Sequence, residues 1–347
     1  MEKKLKILRD ISLIKSNPSS ESDYYNYLRS SFKKYNLESE IDNLGNIYFI
    51  KKSKNKKAKN LAIEAHIDDV GFVSTGIDNK GFVSFEPKGG VIKKWLIGHK
   101  LNIEIKSNLI PGVVVTPPPH LIRNNNSLNL DDSLKIDFGF TSKENAKKMG
   151  FEIGQDIYWD SHFWSNDSRV FMNATDNKVG TATLVNLIHN VIDNNYNFNI
   201  YFSFISQEEV GLRGAKVASQ KINPDLVIVL DTSPAMDISN SEMGHLDSGP
   251  FIRYMDRGYI PPKKVNNFII ETAKKSKIKL QPYISPGGTD ALEWSLQGTG
   301  NNIIQLGILS RNIHTSIGSF SMNDFNELNK LTEDILNSKD LDKLFRK

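Results

Sequence analysis

From residue 181 onward, apolar runs of strand length alternate with segments of helical period, and this alternation restricts the fold more than any other feature of the chain. Residues 181–193 have helical spacing, 199–205 read as a strand, 215–221 as a helix and 226–230 as a strand. Residues 262–276 and 291–297 read as helices, 302–308 as a strand and 324–336 as a closing helix. Strands and helices in alternation each bury an apolar face only against the other, so they predict a sheet covered by helices. Ahead of this region, 5–14 and 21–35 read as helices separated by Asn17-Pro18-Ser19-Ser20, and 46–51 and 61–65 read as strands. Between residues 70 and 164 the texture changes to short β-like pieces broken by Gly and Pro, including 81–85, 101–106 and 112–115, with one helical stretch at 142–149. The expected architecture is α/β: a mixed sheet flanked by helices, built from residues 1–69 and 165–347, with a small β-rich domain of residues 70–164 inserted.

In open α/β sheets, sites form where strands end at their carboxyl edge. Metal-ligating residue types fall at those places. His66 follows the strand 61–65, Glu208 and Glu209 follow 199–205, Asp231 follows 226–230, and His314 lies shortly after 302–308. Neighbouring side chains of a strand face opposite ways, so two adjacent glutamates serve one site only where the strand has ended and the backbone turns. Gly211 and Gly214 supply such a turn. One glutamate would then be a metal ligand and the other a general base for a water molecule, which is the division of labour hydrolytic metal sites need. The bland alternative is a solvated acidic loop. Asp176 precedes a helix, and its carboxylate could cap that helix instead of binding anything. Asp68, two residues from His66, shares its face if the strand continues, and it is the natural group to fix the imidazole's orientation. A lone histidine is more often half-buried than ligating, but four strand ends carrying suitable ligands are harder to dismiss. His99, His120, His162, His189 and His245 lack this placement and are assigned no metal role.

The chain has no cysteine, so thiolate nucleophiles, disulfides and zinc-thiolate sites are excluded together, and any metal must be held by His, Asp and Glu. A net charge of +4, from 44 basic and 40 acidic residues, is too small an imbalance to argue for nucleic acid. The lysine-rich stretch 51–59 lacks interleaved aromatics and joins two strands, so a solvated hairpin loop is expected there and no nucleic-acid partner. No apolar run approaches the ~20 residues that cross a bilayer, and the first residues do not read as an export signal. The expectation is a cytoplasmic protein with no membrane role.

Six segments, in order, resemble the motifs of the tetrahedral aminopeptidases, also called glutamyl or deblocking aminopeptidases. They are Ala65-His66-Ile67-Asp68-Asp69-Val70-Gly71-Phe72, the Asp176 segment Asn173-Ala174-Thr175-Asp176-Asn177-Lys178-Val179-Gly180, Gln207-Glu208-Glu209-Val210-Gly211-Leu212-Arg213-Gly214-Ala215, Asp231-Thr232, Gly287-Gly288-Thr289-Asp290-Ala291 and Arg311-Asn312-Ile313-His314. The likeness extends through Asp42-Asn43-Leu44-Gly45-Asn46 and Pro118-Pro119-His120-Leu121 over essentially the whole chain. It implies a zinc-peptidase-like catalytic domain that holds two divalent metal ions, Zn or Co. His66 would ligate one ion and His314 the other, with Asp176 bridging and Glu209 and Asp231 completing the two ligand sets. Glu208 would be the general base, and Asp68 would orient His66. Peptides would be the substrates, losing their N-terminal residue. The inserted domain would serve assembly of a homo-oligomer, from a dimer up to a tetrahedral dodecamer. The sequence departs from the family where Asp69 replaces a usual glutamate, Lys178 a frequent arginine, and Gly318 a glutamate four residues after the last histidine. Two other readings remain open on residues alone: a metal-independent glycoside hydrolase using paired carboxylates, and a non-enzymatic binding protein.

Overall fold

The structure is a computed structural model describing residues 2–118, 134–239 and 241–346; Pro119, His120 and Leu121 of the sequence motif lie outside them. In chain order the elements are helices α1 (Glu2–Ser12) and α2 (Ser22–Phe32), strands β1 (Glu38–Ile41), β2 (Ile47–Lys51), β3 (Asn60–His66), β4 (Gly71–Ile77), β5 (Val83–Lys88), β6 (Lys100–Ile105), β7 (Asn108–Val115) and β8 (Lys135–Asp137), then helix α3 (Lys143–Met149). Strands β9 (Asp156–Trp159), β10 (Phe163–Asn166) and β11 (Arg169–Met172) lead to α4 (Thr175–Val191) and β12 (Asn199–Ile205). The chain closes with α5 (Arg213–Ile222), β13 (Leu226–Pro234), β14 (Phe251–Met255), α6 (Lys263–Lys275), β15 (Gln281–Ile284), α7 (Ala291–Ser295), β16 (Ile303–Arg311), β17 (Gly318–Ser321) and α8 (Met322–Leu336).

Two compact units result: Met1–Asp68 with His162–Lys347, and Asp69–Ser161. The first unit is built on a mixed sheet in the order β1-β2-β12-β3-β13-β16-β17-β11-β10, with β14 and β15 attached beside β16. Its centre is parallel: β12, β3, β13 and β16 run in one direction side by side. These strands are apolar almost throughout because helices cover both faces. Ile63, Ile228 and Leu230 pack toward one face with Leu184 and Ile188 of α4 and Leu328 and Leu331 of α8. Ala62, Val227 and Val229 pack on the other with Ala215, Ala218 and Ile222 of α5 and Trp294 of α7. Phe163 pairs with Met172 across β10 and β11, which ties residues 162–164 to this unit.

The second unit is a closed barrel, β4-β5-β8-β7-β6-β9. Phe72, Phe85 and Trp159 fill it, with the Phe72 and Trp159 rings 5.0 Å apart and edge-on. The Trp159 indole N–H donates to the Val70 carbonyl at 2.9 Å, so the bulky ring is buried without an orphan donor.

Two boundaries differ from the sequence expectation where it matters most. Strand β13 runs on to Pro234, so Asp231 sits within the strand and not after it; its backbone partner is Gly307 of β16. Helix α4 begins at Thr175, six residues early, but Asp176 and Asn177 have non-helical backbone angles inside it.

Candidate metal centre

The register of the parallel strands brings the candidate residues together. Ile205 lies opposite His66, so the ends of β12 and β3 are level, and the chain leaving β12 turns at once into Glu208 and Glu209. Gln207 takes the left-handed conformation (φ 59°), which breaks the alternation of a strand and lets adjacent glutamates serve one place. Asp68 is fully buried, and its carboxylate accepts from the backbone amides of both: Oδ1 from Glu208 at 2.9 Å and Oδ2 from Glu209 at 3.1 Å.

Five side chains then converge from five segments. His66 Nε2 lies 3.1 Å from Asp176 Oδ1 and 3.7 Å from Asp231 Oδ1. His314 Nε2 lies 3.4 Å from Asp176 Oδ2 and 3.2 Å from Glu209 Oε1. Asp176 therefore offers one oxygen to each imidazole, and each imidazole has one further carboxylate. Glu208 stands with His66 and Glu209 in the same cluster. They line a cavity of about 300 Å³ with Thr232, Pro234, Gly287, Gly288 and Ile313.

The electrostatics of this cluster fit divalent cations. Four carboxylates surround two imidazoles, and the buried Glu209 Oε1 has the His314 imidazole beside it at 3.2 Å. Burial alone would lower the His314 pKa, but Glu209 and Asp176 overcome it and push it up to about 11. His66 is raised likewise, against burial, by Glu208, Asp176 and Asp231. Burial pushes Glu208 well above the usual carboxylate range, and Glu209, Asp290 and Asp231 add to the rise against His66. In the cluster's own charge balance, protons stand where positive ions would. The donor set, imidazole nitrogen and carboxylate oxygen without sulfur, suits Zn, Co or Mn.

One alternative falls, and one expected contact takes a definite form. Asp176 does not cap α4: the cap position is Ala174 and no side chain caps there. Asn177 takes that part, its Oδ1 accepting from Gly180 at 3.0 Å while its Nδ2 donates to the Leu230 carbonyl at 2.8 Å. Asp68 does stand beside His66, with its backbone carbonyl 3.1 Å from Nδ1 and its carboxylate farther off at 3.8 Å. The carbonyl is the closer because β3 ends at His66, so the strand face does not extend to Asp68. The carboxylate holds the glutamate turn.

Sequence reasoning passed over several supporting residues. Thr181 Oγ1 donates to the His66 carbonyl at 3.0 Å, and Thr232 Oγ1 donates to the Thr175 carbonyl at 3.1 Å. Arg253, 1% exposed, places NH2 3.9 Å from Asp231 Oδ2 and NH1 3.3 Å from Asp256. Its signal was a lone cation inside the apolar strand β14. Two of the three departures from the family pattern have a local setting, and nothing in the structure explains Asp69. Lys178 Nζ donates to the Ile14 carbonyl at 2.7 Å, and a side chain at Gly318 would meet Thr175 Oγ1 at 2.3 Å.

A helix-covered sheet whose carboxyl edge gathers imidazoles and carboxylates around one shared aspartate has the make-up of a metal-dependent hydrolase. The family described as M42 glutamyl aminopeptidase matches residues 45–331. The glutamyl aminopeptidase of Lactococcus lactis subsp. cremoris is 29% identical over 343 residues, covering 97% of each chain. The crystal structure of a TET aminopeptidase from a marine sediment Thaumarchaeota archaeon superposes with a TM-score of 0.92 at 26% identity, covering 99% of each chain. The Pyrococcus horikoshii TET1 peptidase, which can assemble into a tetrahedron or a large octahedral shell, has the same fold (TM-score 0.86, 24% identity, 96% of this chain and 98% of that one). The chain belongs to the M42 aminopeptidase family, and it is a metal-dependent aminopeptidase.

Proposed function

We propose that this protein removes single N-terminal residues from peptides using two divalent ions, Zn or Co, with Glu208 as general base. The observation that carries the reading is the division of Asp176 between His66 and His314, at 3.1 and 3.4 Å. His66, Asp231 and Asp176 Oδ1 would hold one ion, and His314, Glu209 and Asp176 Oδ2 the other. Bound there, the ions would supply Lewis acidity for the scissile carbonyl and lower the pKa of water at the site. Glu208 takes the proton from the attacking water and delivers it to the leaving amine. Asp68 keeps Glu208 and Glu209 in place through their amides. Arg253 sets a buried cation 3.9 Å from the outer oxygen of Asp231, on the side away from His66 Nε2.

Metal analysis together with a panel of aminoacyl chromogenic substrates tests the proposal. The expected result is two ions per chain, and activity that is lost to chelators and restored by Zn or Co. A glycosidase working by two carboxylates would ignore the chelator. A nucleic-acid binder would show salt-dependent binding that is indifferent to Glu208.

The working form is proposed to be a homo-oligomer, between a dimer and a tetrahedral dodecamer. The assembly of the Pyrococcus horikoshii relative supports this, as does the exposure of Trp95 and Ile153 on the inserted unit. Assembly is the role proposed for that unit. Among the described residues no helix is long and apolar enough to cross a membrane. The absence of cysteine suits a reducing compartment, and the cytoplasm is the proposed location.

A further inference from the structure

We propose that Asn46 is a positioning residue for catalysis: it staples the two ends of the turn that carries Glu208 and Glu209. The inference rests on the aminopeptidase reading for its kinetic consequence but not for its geometry. Asn46 is completely buried. Its Oδ1 accepts from the Ser206 amide at 2.9 Å, where the chain leaves β12, and its Nδ2 donates to the Gly214 carbonyl at 3.0 Å, where α5 begins. The two ends meet closely, since a Cβ on Gly214 would lie 2.0 Å from the Ser206 carbonyl oxygen and 2.5 Å from Asn46 Oδ1.

Asn46 is itself fixed. Nδ2 also donates to Asp42 Oδ2 at 2.7 Å, Tyr48 OH donates to the same oxygen at 2.6 Å, and Asp42 Oδ1 accepts from the amides of Leu44 and Asn46. An amide is the side chain that can accept from one backbone group while donating to another; alanine does neither, and an ionised aspartate only accepts.

The turn needs holding. Gln207 (φ 59°), Gly211 (φ 116°) and Leu212 (φ 56°) are all left-handed, and two of them are not glycine, so the conformation is costly for a free chain. Asp68 grips the middle of the turn and Asn46 its ends. With the ends released, the Glu208 carboxylate loses its fixed distance to the reacting atoms, while the walls that bind substrate stay put.

The test compares wild type with Asn46→Ala and with the near-isosteric Asn46→Asp. Two readouts are used: kcat and KM on an aminoacyl p-nitroanilide with metal bound, and hydrogen exchange of metal-free protein. The expected result is a kcat about 10- to 100-fold lower with KM within about twofold. Exchange of the 206–212 amides should be about tenfold faster, with the 227–230 amides unchanged. Should Asn46→Ala fail to fold, Asn46→Asp carries the same expectations. A purely structural role predicts a lower melting temperature, uniformly faster exchange and an unchanged kcat per folded molecule. That outcome overturns the proposal, as does an unchanged exchange rate in 206–212. If wild type cleaves no substrate in the panel, the aminopeptidase reading fails, and the exchange comparison alone decides whether Asn46 holds the turn.

Discussion

Glu208 and Asp176 are half-buried carboxylates in one cluster, and they do different work because of what each faces. Asp176 turns an oxygen to each imidazole, which holds it below the usual carboxylate range; Glu208 adjoins Glu209 and is pushed upward. Glu208→Gln keeps the shape and the ligand set, so metal content should stay near wild type while kcat falls by roughly 10² to 10⁴. Elemental analysis beside steady-state kinetics checks this, and retained activity would remove Glu208 from its role. Asp176→Ala should behave in the opposite way and lose metal as well as rate. A capping role would have predicted only about 0.5–2 kcal/mol of lost stability with metal intact. At this scale the gathering of the candidate residues in one place was legible in the sequence, because the ligand chemistry and the order of motifs both pointed to them. Their second partners were not. Whether Asp68 offers His66 its carboxylate or its carbonyl depends on the residue at which β3 stops, and the residue pattern does not reveal that.

Among the elements, β13 and β16 pair beside the candidate metal centre with no room for a side chain at Gly307. A Cβ on Gly307 would fall 1.6 Å from the Asp231 carbonyl oxygen, a backbone atom that cannot swing aside. Gly307→Ala should therefore cost at least about 1–3 kcal/mol and lower metal content by displacing Asp231. Denaturant unfolding and metal analysis of the same preparation test both parts. At the start of α8, burial raises the Asp324 carboxyl to about 6, with Asp247 and Glu327 adding to the rise against bonds from the amides of Gly249 and Asp247. The folded state then takes up a proton between pH 6 and 3.8 that the unfolded chain does not, so stability is gained as pH falls through that window and is lacking above it. Asp324→Asn cannot gain it. The melting-temperature gap between wild type and variant should widen from pH 6.5 to 4.5, and a constant gap would show that Asp324 does not titrate there. The long central elements were readable because covered strands are uniformly apolar and helices have a period. Short strands such as β1, β10 and β17, four residues each, carry too few positions to show alternation; partners distant in sequence make them strands.

For the molecule as a whole, the decisive property is where on a peptide it cuts. The cavity is small, about 300 Å³, and the residues proposed to activate water share it with carboxylates able to receive a free amine. A neutral amine can join a metal, and an ammonium can pair with a carboxylate. Acetylation removes both options and adds bulk where the chain must end. Losing one charge-assisted hydrogen bond of roughly 1.5–3 kcal/mol lowers kcat/KM by about 10- to 150-fold. One peptide, followed by time-resolved mass spectrometry in free and acetylated forms, should therefore shorten one residue at a time from its free N-terminus and persist when blocked. Cleavage of the acetylated form at a comparable rate would mean that the amine is not what anchors the substrate. Internal fragments appearing ahead of N-terminal trimming would mean that the cavity is open to a passing chain and does not close around its end.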